Sequence, residues 1–311
     1  MSAFRTISEP PKTEKPVVLA MGCFDGVHIG HQKVISTAVE QVRAVDGEAW
    51  VYTFNPHPAK VLVPEKAPPL ISAEPCRLRQ FKALGVEGVI EIPFDKTFAH
   101  MAPNDFLSKL WKQLPTLRGI VCGIDWSFGY KASGNFQTLE KFGKENGFAA
   151  TAVVPVMDGD HKISSTTIRN AVSEGNIPLA EQLLGRPFSL FGTVVKGRGI
   201  GRGLGFPTAN IEPLNELIPA PGIYAARTRI NGEEIDSAVF IGERKTFDDP
   251  DPVIESYLID FDDDLYGQQI EICLVEKVRD VHPFPNREAL IEQIQKDVAK
   301  IRRRLAPHHK A

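Results

Sequence analysis

A chain of 311 residues, 42 % hydrophobic and 24 % charged, has the length of about two domains and enough apolar residues for a sizeable core. Its formal net charge of −3 argues against a general nucleic-acid or membrane-surface binder, and no apolar run approaches the roughly 20 residues of a membrane span. Four cysteines, Cys23, Cys76, Cys122 and Cys273, lack C-x-x-C spacing, and Met1 to Lys15 lacks a signal-peptide core, so a reduced, cytoplasmic protein without disulfides or zinc is expected.

The first apolar run, 17–21, is continuous, as in a parallel strand covered on both faces. After it comes Gly22-Cys23-Phe24-Asp25-Gly26-Val27-His28-Ile29-Gly30-His31, followed by a helical apolar face at Val34, Ile35, Ala38, Val39 and Val42. The decapeptide is therefore a strand-to-helix turn. Gly22, Gly26 and Gly30 let the backbone approach a ligand, and the helix start offers free N–H groups and a positive dipole end. His28 and His31 can both address one anion. No G-x-x-x-x-G-K-[ST] occurs, so this is not a P-loop. Two histidines satisfied locally at a helix start are the plainer alternative; a pair set among glycines after a buried strand favours a phosphate site.

Further strands are predicted at 49–54, 89–92, 119–122 and 149–156, alternating with helices at 32–45, 76–84, 105–114 and 136–146. That alternation predicts a Rossmann-like, doubly wound parallel sheet with ligands at the carboxyl ends of its strands. Three more segments follow such ends. Phe54-Asn55-Pro56-His57-Pro58 is a rigid turn, as compatible with a plain loop as with a binding loop. The segment Gly123-Ile124-Asp125-Trp126-Ser127-Phe128-Gly129-Tyr130 joins a carboxylate to three aromatics, suited to a ribose or a flat ring, with a satellite core as its alternative. In Ile163-Ser164-Ser165-Thr166-Thr167-Ile168-Arg169 a serine can cap a helix, and Arg169 one turn on makes a second anion cradle.

Leu183-Leu184-Gly185-Arg186-Pro187 reads as a helix stop, which divides the chain into domains 1–186 and 187–311. Beyond it the pattern turns to β at 189–195, 224–230, 234–241, 253–261 and 269–275, with Asn231-Gly232 as a type I′ hairpin signal. A helix at 287–305 closes what should be a small antiparallel barrel, and its terminal Lys300, Arg302, Arg303 and Arg304 suit the helix dipole and solvent. Between the first two strands Gly197, Gly199, Gly201, Gly203 and Gly205 alternate with other residues and read as a flexible cover over phosphates, with Arg198 and Arg202 as counter-charges. Thr208 and Asn210 share a face if extended, and could ligate Mg²⁺. Glu255 falls on a face with Val253, Tyr257, Ile259 and Phe261, a position that asks for a function or for an ion pair, Arg279 being a candidate partner. The acidic run at Asp260 and Asp262 to Asp264 is not a calcium loop, because Leu265 stands where glycine is needed.

From about residue 16 to 303 the chain closely resembles the bifunctional bacterial riboflavin kinase/FMN adenylyltransferase (FAD synthetase) family. The resemblance is carried by Gly22 to His31, Phe54 to Pro58, Ile163 to Arg169, Gly205-Phe206-Pro207-Thr208-Ala209-Asn210, Leu265-Tyr266-Gly267, and Arg279 with the final helix. It implies that the barrel phosphorylates riboflavin with Mg-ATP and that the α/β half transfers AMP from ATP to FMN. By the same resemblance Thr208 and Asn210 hold Mg-ATP under Gly197, Gly199, Gly201 and Gly205, and Glu255 is the general base. Gly22, Phe24, Gly26, His28, Gly30, His31, Ser164, Ser165, Thr166 and Arg169 serve the other ATP. Asn55, Pro56, Pro58, Asp125, Phe128 and Arg279 seat flavin or nucleotide. The implied partners are small molecules, with no nucleic acid or membrane, and a weak homo-oligomer is left open. Phe240, Lys245 and Val281 depart from the family pattern, so two alternatives stand: a barrel that holds flavin without phosphorylating it, and a nucleotidyltransferase for another phosphorylated acceptor.

Overall fold

The computed structural model describes residues 4–43, 45–197, 199–244 and 251–306, so Arg198 and Lys245 lie outside the described residues. Two compact units divide the chain: residues 1–69 with 74–164, and residues 70–73 with 165–311.

The first unit runs β1 (Arg5–Ile7), β2 (Val17–Met21), α1 (Ile29–Arg43), β3 (Glu48–Asn55), α2 (Pro58–Leu62), α3 (Glu74–Ala83) and β4 (Gly88–Pro93). It continues with α4 (Lys96–Ala99), α5 (Pro103–Gln113), β5 (Leu117–Gly123), α6 (Phe136–Asn146), β6 (Ala149–Val153) and the hairpin β7 (Met157–Asp158) to β8 (His161–Lys162). Six parallel strands lie in the order β1-β4-β3-β2-β5-β6. Strand β2 is buried along its whole length, as its unbroken hydrophobicity demands: Val18 and Ala20 meet α1, while Val17, Leu19 and Met21 face α5 and its neighbours. The chain passes from β2 outward through β3 to β4 on one side and later through β5 to β6 on the other. The order therefore reverses between β2 and β5, and the crevice beyond their carboxyl ends is the ligand position of such sheets. Two differences from the sequence reading stand out. Strand β1 pairs with residues 88–90 of β4 and went unseen because three residues carry no period. Strand β6 ends at Val153 and not at residue 156, since Val154 is exposed and Pro155 follows.

The second unit runs α7 (Ser165–Ser173), α8 (Ile177–Leu184), β9 (Ser189–Val195), α9 (Ile200–Gly203), β10 (Ala209–Pro213), β11 (Gly222–Ile230) and β12 (Glu233–Arg244). After these come β13 (Asp251–Leu258), β14 (Gln269–Arg279) and α10 (Arg287–Leu305). The strands close into an antiparallel barrel, β10-β13-β12-β11-β14-β9. The hairpin between β11 and β12 has positive φ at both Asn231 and Gly232, the type I′ requirement. Inside the barrel the fully buried Thr228, Ser237 and Ser256 satisfy one another, with 2.7 Å between the first two hydroxyls. On the outside, α10 covers Ala225, Ile259 and Val278 with Ile301 and Leu305. Buried Asn215 accepts from the Phe191 N–H at 2.8 Å and donates to the carbonyls of Ser189 and Ile71, which ties residues 70–73 to this unit.

Three expectations change here. The glycine segment, read as a flexible cover, contains the helical turn α9. Strand β13 stops at Leu258 and not at residue 261, because the chain turns through Asp260 at φ 61°. The basic end of α10 is paired as well as solvated: Arg302 forks onto Asp260 at 2.6 Å twice, Arg304 meets Glu276, and Lys300 donates to the Val278 carbonyl.

Candidate active sites

At the end of β2 the chain turns through Phe24, Gly26 and Val27 at φ 50°, 79° and 41°. Only the glycine adopts this region freely; a β-branched Val27 there is strained, and such strain collects at binding sites. The other glycines make room for the turn's own rings. A Cβ on Gly22 would come within 3.1 Å of the Phe24 ring, and one on Gly30 within 3.1 Å of the His28 ring. The two imidazoles stack with centroids 3.6 Å apart and planes 21° apart, and the edge of Phe24 meets His31 at 5.3 Å. The His31 N–H donates to Nδ1 of His28 at 3.3 Å, while Nδ1 of His31 is buried without a partner. Burial, and then the neighbouring His28, hold the His31 imidazole well below its usual range. The turn thus presents two close-packed rings, the His31 ring held below its usual range and carrying an unused ring nitrogen, at the head of α1, where helix N–H groups suit an anion.

Asn55 ends β3 next to a cis bond to Pro56, and its Nδ2 donates to Glu91 Oε2 at 3.2 Å. His57 caps α2 through Nδ1, and Pro58 is that helix's first residue, so this half of the loop is helix initiation. After β5, Asp125 is exposed and pairs with Lys162 of β8 at 2.5 Å. Phe128 is buried to 8 % exposure, stacked on Trp126 at 4.5 Å and packed against Phe106. For this ring the satellite-core alternative describes the packing. Ser164 precedes α7, and Ser165, Thr166 and Arg169 lie on its first turns in the second unit, with Ile168 buried beneath them.

In the barrel, cross-strand register does the assembling. Asn210 of β10 and Phe240 of β12 both pair with Glu255 of β13, so the three side chains share one face of the sheet. Thr208 Oγ1 donates to Glu255 Oε2 at 3.4 Å. The glycines split into two kinds. Gly197 is pressed onto the Asn210 amide, and Gly201 lies against the Phe206 carbonyl with its Cβ position 3.0 Å from Thr208 Oγ1, so neither has space for a side chain. Gly199 and Gly205 have open surroundings but φ of 68° and 87°.

A cavity of about 340 Å³ is walled by Phe206, Tyr257, Phe240 and Phe284 and carries Glu255 and Thr208. A second, of about 300 Å³, is lined by Arg202, Asp262 to Asp264 and Tyr266, and again by Thr208. One is fit for a flat apolar body, the other for polar groups, and they meet at Thr208. Among the described residues Glu255 has no ion pair. Arg279 instead grips Asp297 of α10 through Nε and a terminal nitrogen at 2.8 Å each, so the Glu255–Arg279 pair is replaced by a strut between β14 and α10. Gln293 supports the same buried Asp297 at 2.9 Å. The sequence reading missed Asp297, although a carboxylate between Ile294 and Val298 on the helix's apolar face was a usable signal. Thr208 and Asn210 offer hard oxygen donors on one face, which suits Mg²⁺ when phosphate oxygens and water complete its shell. No cluster of three acidic, histidine or cysteine side chains could hold a metal alone among the described residues.

Two family models match: FAD synthetase over residues 10–167 and riboflavin kinase over residues 184–305. The bifunctional riboflavin kinase/FMN adenylyltransferase of Escherichia coli (strain K12) is 34 % identical over 94 % of this chain and 93 % of its own. The proteins of the same name from Bacillus subtilis (strain 168) and Listeria monocytogenes are 36 % and 38 % identical, each over 90 % of both chains. A crystal structure described as a macrolide-efflux protein from Streptococcus pneumoniae superposes with a TM-score of 0.87 at 30 % identity, covering 96 % of this chain and 98 % of that one. No helix among the described residues is long and apolar enough to cross a membrane.

Proposed function

This chain belongs to the bifunctional riboflavin kinase/FMN adenylyltransferase family, and we propose that it makes both flavin nucleotides, with the functional boundary near residue 186. The barrel converts riboflavin and ATP to FMN and ADP. The α/β half converts FMN and a second ATP to FAD and pyrophosphate. The observation that carries the kinase half is the meeting of an apolar and a polar cavity at Thr208, 3.4 Å from Glu255.

In that half Glu255 takes the proton of the terminal ribityl hydroxyl as its oxygen attacks the γ-phosphorus of ATP, and the bond to the ADP oxygen breaks. Glu255 is suited to this because, among the described residues, no cation pairs with it: Arg279 is committed to Asp297. Thr208 and Asn210 would hold Mg²⁺, which supplies charge neutralisation on the phosphates. Phe206, Tyr257 and Phe284 exclude water from the flavin ring. In the other half an FMN phosphate oxygen attacks the α-phosphorus of ATP, and pyrophosphate leaves. His28, His31 and the N–H groups at the head of α1 receive the charge that develops there, with no covalent enzyme intermediate. Gly22, Phe24, Gly26 and Gly30 shape that turn. Asn55 and Asp125 seat acceptor or nucleotide, and Ser164, Ser165, Thr166 and Arg169 form a further anion-binding segment at the start of α7. Four free cysteines support a cytoplasmic setting.

Incubation with riboflavin and Mg-ATP, followed by chromatography, should show FMN and then FAD. Phe240 beside Glu255 favours the second reading, in which the barrel holds flavin without phosphorylating it. FAD formed from supplied FMN, with no product from riboflavin, would establish that reading and remove the kinase.

A further inference from the structure

Within the α/β unit, Arg77 of α3 and Glu91 of β4 form an ion pair that none of the roles above uses. Their contact is 2.6 Å, and the two side chains are only 12 % and 11 % exposed. Taking both charges out of water costs several kcal/mol, and a pair earns this back only when its remaining donors and acceptors are satisfied. Here they are not, because Nε of Arg77 is buried without a partner. As a stabilising device the pair is poor. Among the described residues its one outward hydrogen bond is informative: the second Glu91 oxygen accepts from Nδ2 of Asn55 at 3.2 Å, at the mouth of the sheet. The same helix touches the phosphate turn, since Phe81 of α3 meets Phe24 edge to face at 6.1 Å. The Arg77 charge also opposes the rise that burial imposes on the Cys23 thiol, which puts the guanidinium near that turn.

We propose that Arg77 and Glu91 are positioning residues for adenylyl transfer, holding the Asn55 amide toward the acceptor. The inference rests on the α/β unit being the adenylyltransferase. Strand β3 lies on the side of β2 away from the β2–β5 crevice. With the ATP phosphates at the histidine turn, the substrate beside Asn55 is then FMN. Without the pair, Asn55 turns away and FMN binds in less productive poses, so KM for FMN rises while turnover of bound FMN is nearly kept.

The test uses the full chain and steady-state FAD formation from supplied FMN. Glu91→Gln is the mild variant. Arg77→Met/Glu91→Leu removes both charges together, so no buried charge is left to unfold the unit. Each should raise KM for FMN about tenfold, the scale of one misplaced hydrogen bond, with kcat within twofold and with riboflavin phosphorylation and melting temperature unchanged. In a cycle with Asn55→Ala, the double variant should add nothing to the loss caused by Asn55→Ala alone. Wild-type KM in Arg77→Met/Glu91→Leu, additive losses in the cycle, or a parallel fall in the kinase would each overturn the proposal. A wild-type chain that makes no FAD from FMN overturns the adenylyltransferase reading itself, and this proposal with it.

Discussion

The two phosphate-handling regions reach similar chemistry by opposite routes. The histidine turn is local: ten consecutive residues from the end of β2 into the first turn of α1 bring their own strain, their own ring stacking and a helix start. The barrel site is assembled at a distance, because register alone brings Asn210, Phe240 and Glu255 together from three strands. Electrostatics differ as well. At the turn, burial and the neighbouring His28 hold the His31 ring below its usual range, whereas in the barrel Glu255 has no ion pair among the described residues and lies beside an apolar wall. A local site is weakened chiefly by changes within its own ten residues, while an assembled site is also exposed to whatever shifts a strand or presses on it.

The largest effect should come from Glu255. Glu255→Gln keeps the shape and removes the proton acceptor, so FMN formation should fall by about two to four orders of magnitude. FAD made from supplied FMN should not change, and unaltered riboflavin turnover would strip Glu255 of its role as base. Gly197→Ala comes next. Its new methyl group would meet the Asn210 amide, and displacing that amide should cost the kinase about ten- to a hundredfold in kcat/KM. Gly203→Ala, with nothing within 4 Å of its Cβ position, is the matched control and should stay within about twofold. Equal losses in the two would show that the loop matters for mobility and not for contact.

What the sequence disclosed follows the same division. Strand β2, the turn and α1 were legible because buried parallel strands, helical period and glycine spacing are all short-range signals. For the same reason Asn231-Gly232 announced its hairpin. The barrel strands can be counted in the sequence except β10, because Ala209–Pro213 is short and its identity lies in its partners β9 and β13. Why Gly197 and Gly201 have no space for a side chain is likewise hidden in the sequence: Gly197 is pressed onto the Asn210 amide, and Gly201 onto the Phe206 carbonyl and Thr208. The alternative ion pair of Glu255 with Arg279 is not the one that forms, because pairing across a barrel depends on which face each strand turns to α10. Phe128 shows the converse limit. Aromatics in a glycine loop read the same whether they greet a ligand or, as here, pack on Trp126 and Phe106.

The local site offers smaller but more discriminating tests. His31→Ala should lower FAD formation from FMN by about tenfold or more, the scale of one lost charge-stabilising contact, and leave the kinase intact, the mirror image of Glu255→Gln. Retained adenylyl transfer would remove His31 from the phosphate site. The smallest effect concerns protons. In the free protein His31 is held below its usual range, hence uncharged near neutral pH, and an unfolded chain would protonate it first. Its contribution to stability is therefore full above about pH 6.5 and is lost as pH falls toward the depressed folded value. A triphosphate at the turn raises that value, so binding takes up protons and ATP affinity increases as pH falls through the interval between the two. Calorimetric titration of ATP in two buffers of different ionisation enthalpy measures that uptake, and subtracting the same titration of His31→Gln removes the share due to the barrel. A difference of zero would mean that the ring stays neutral in the complex and acts only as a hydrogen-bond donor, which would leave the α1 N–H groups to balance the anion.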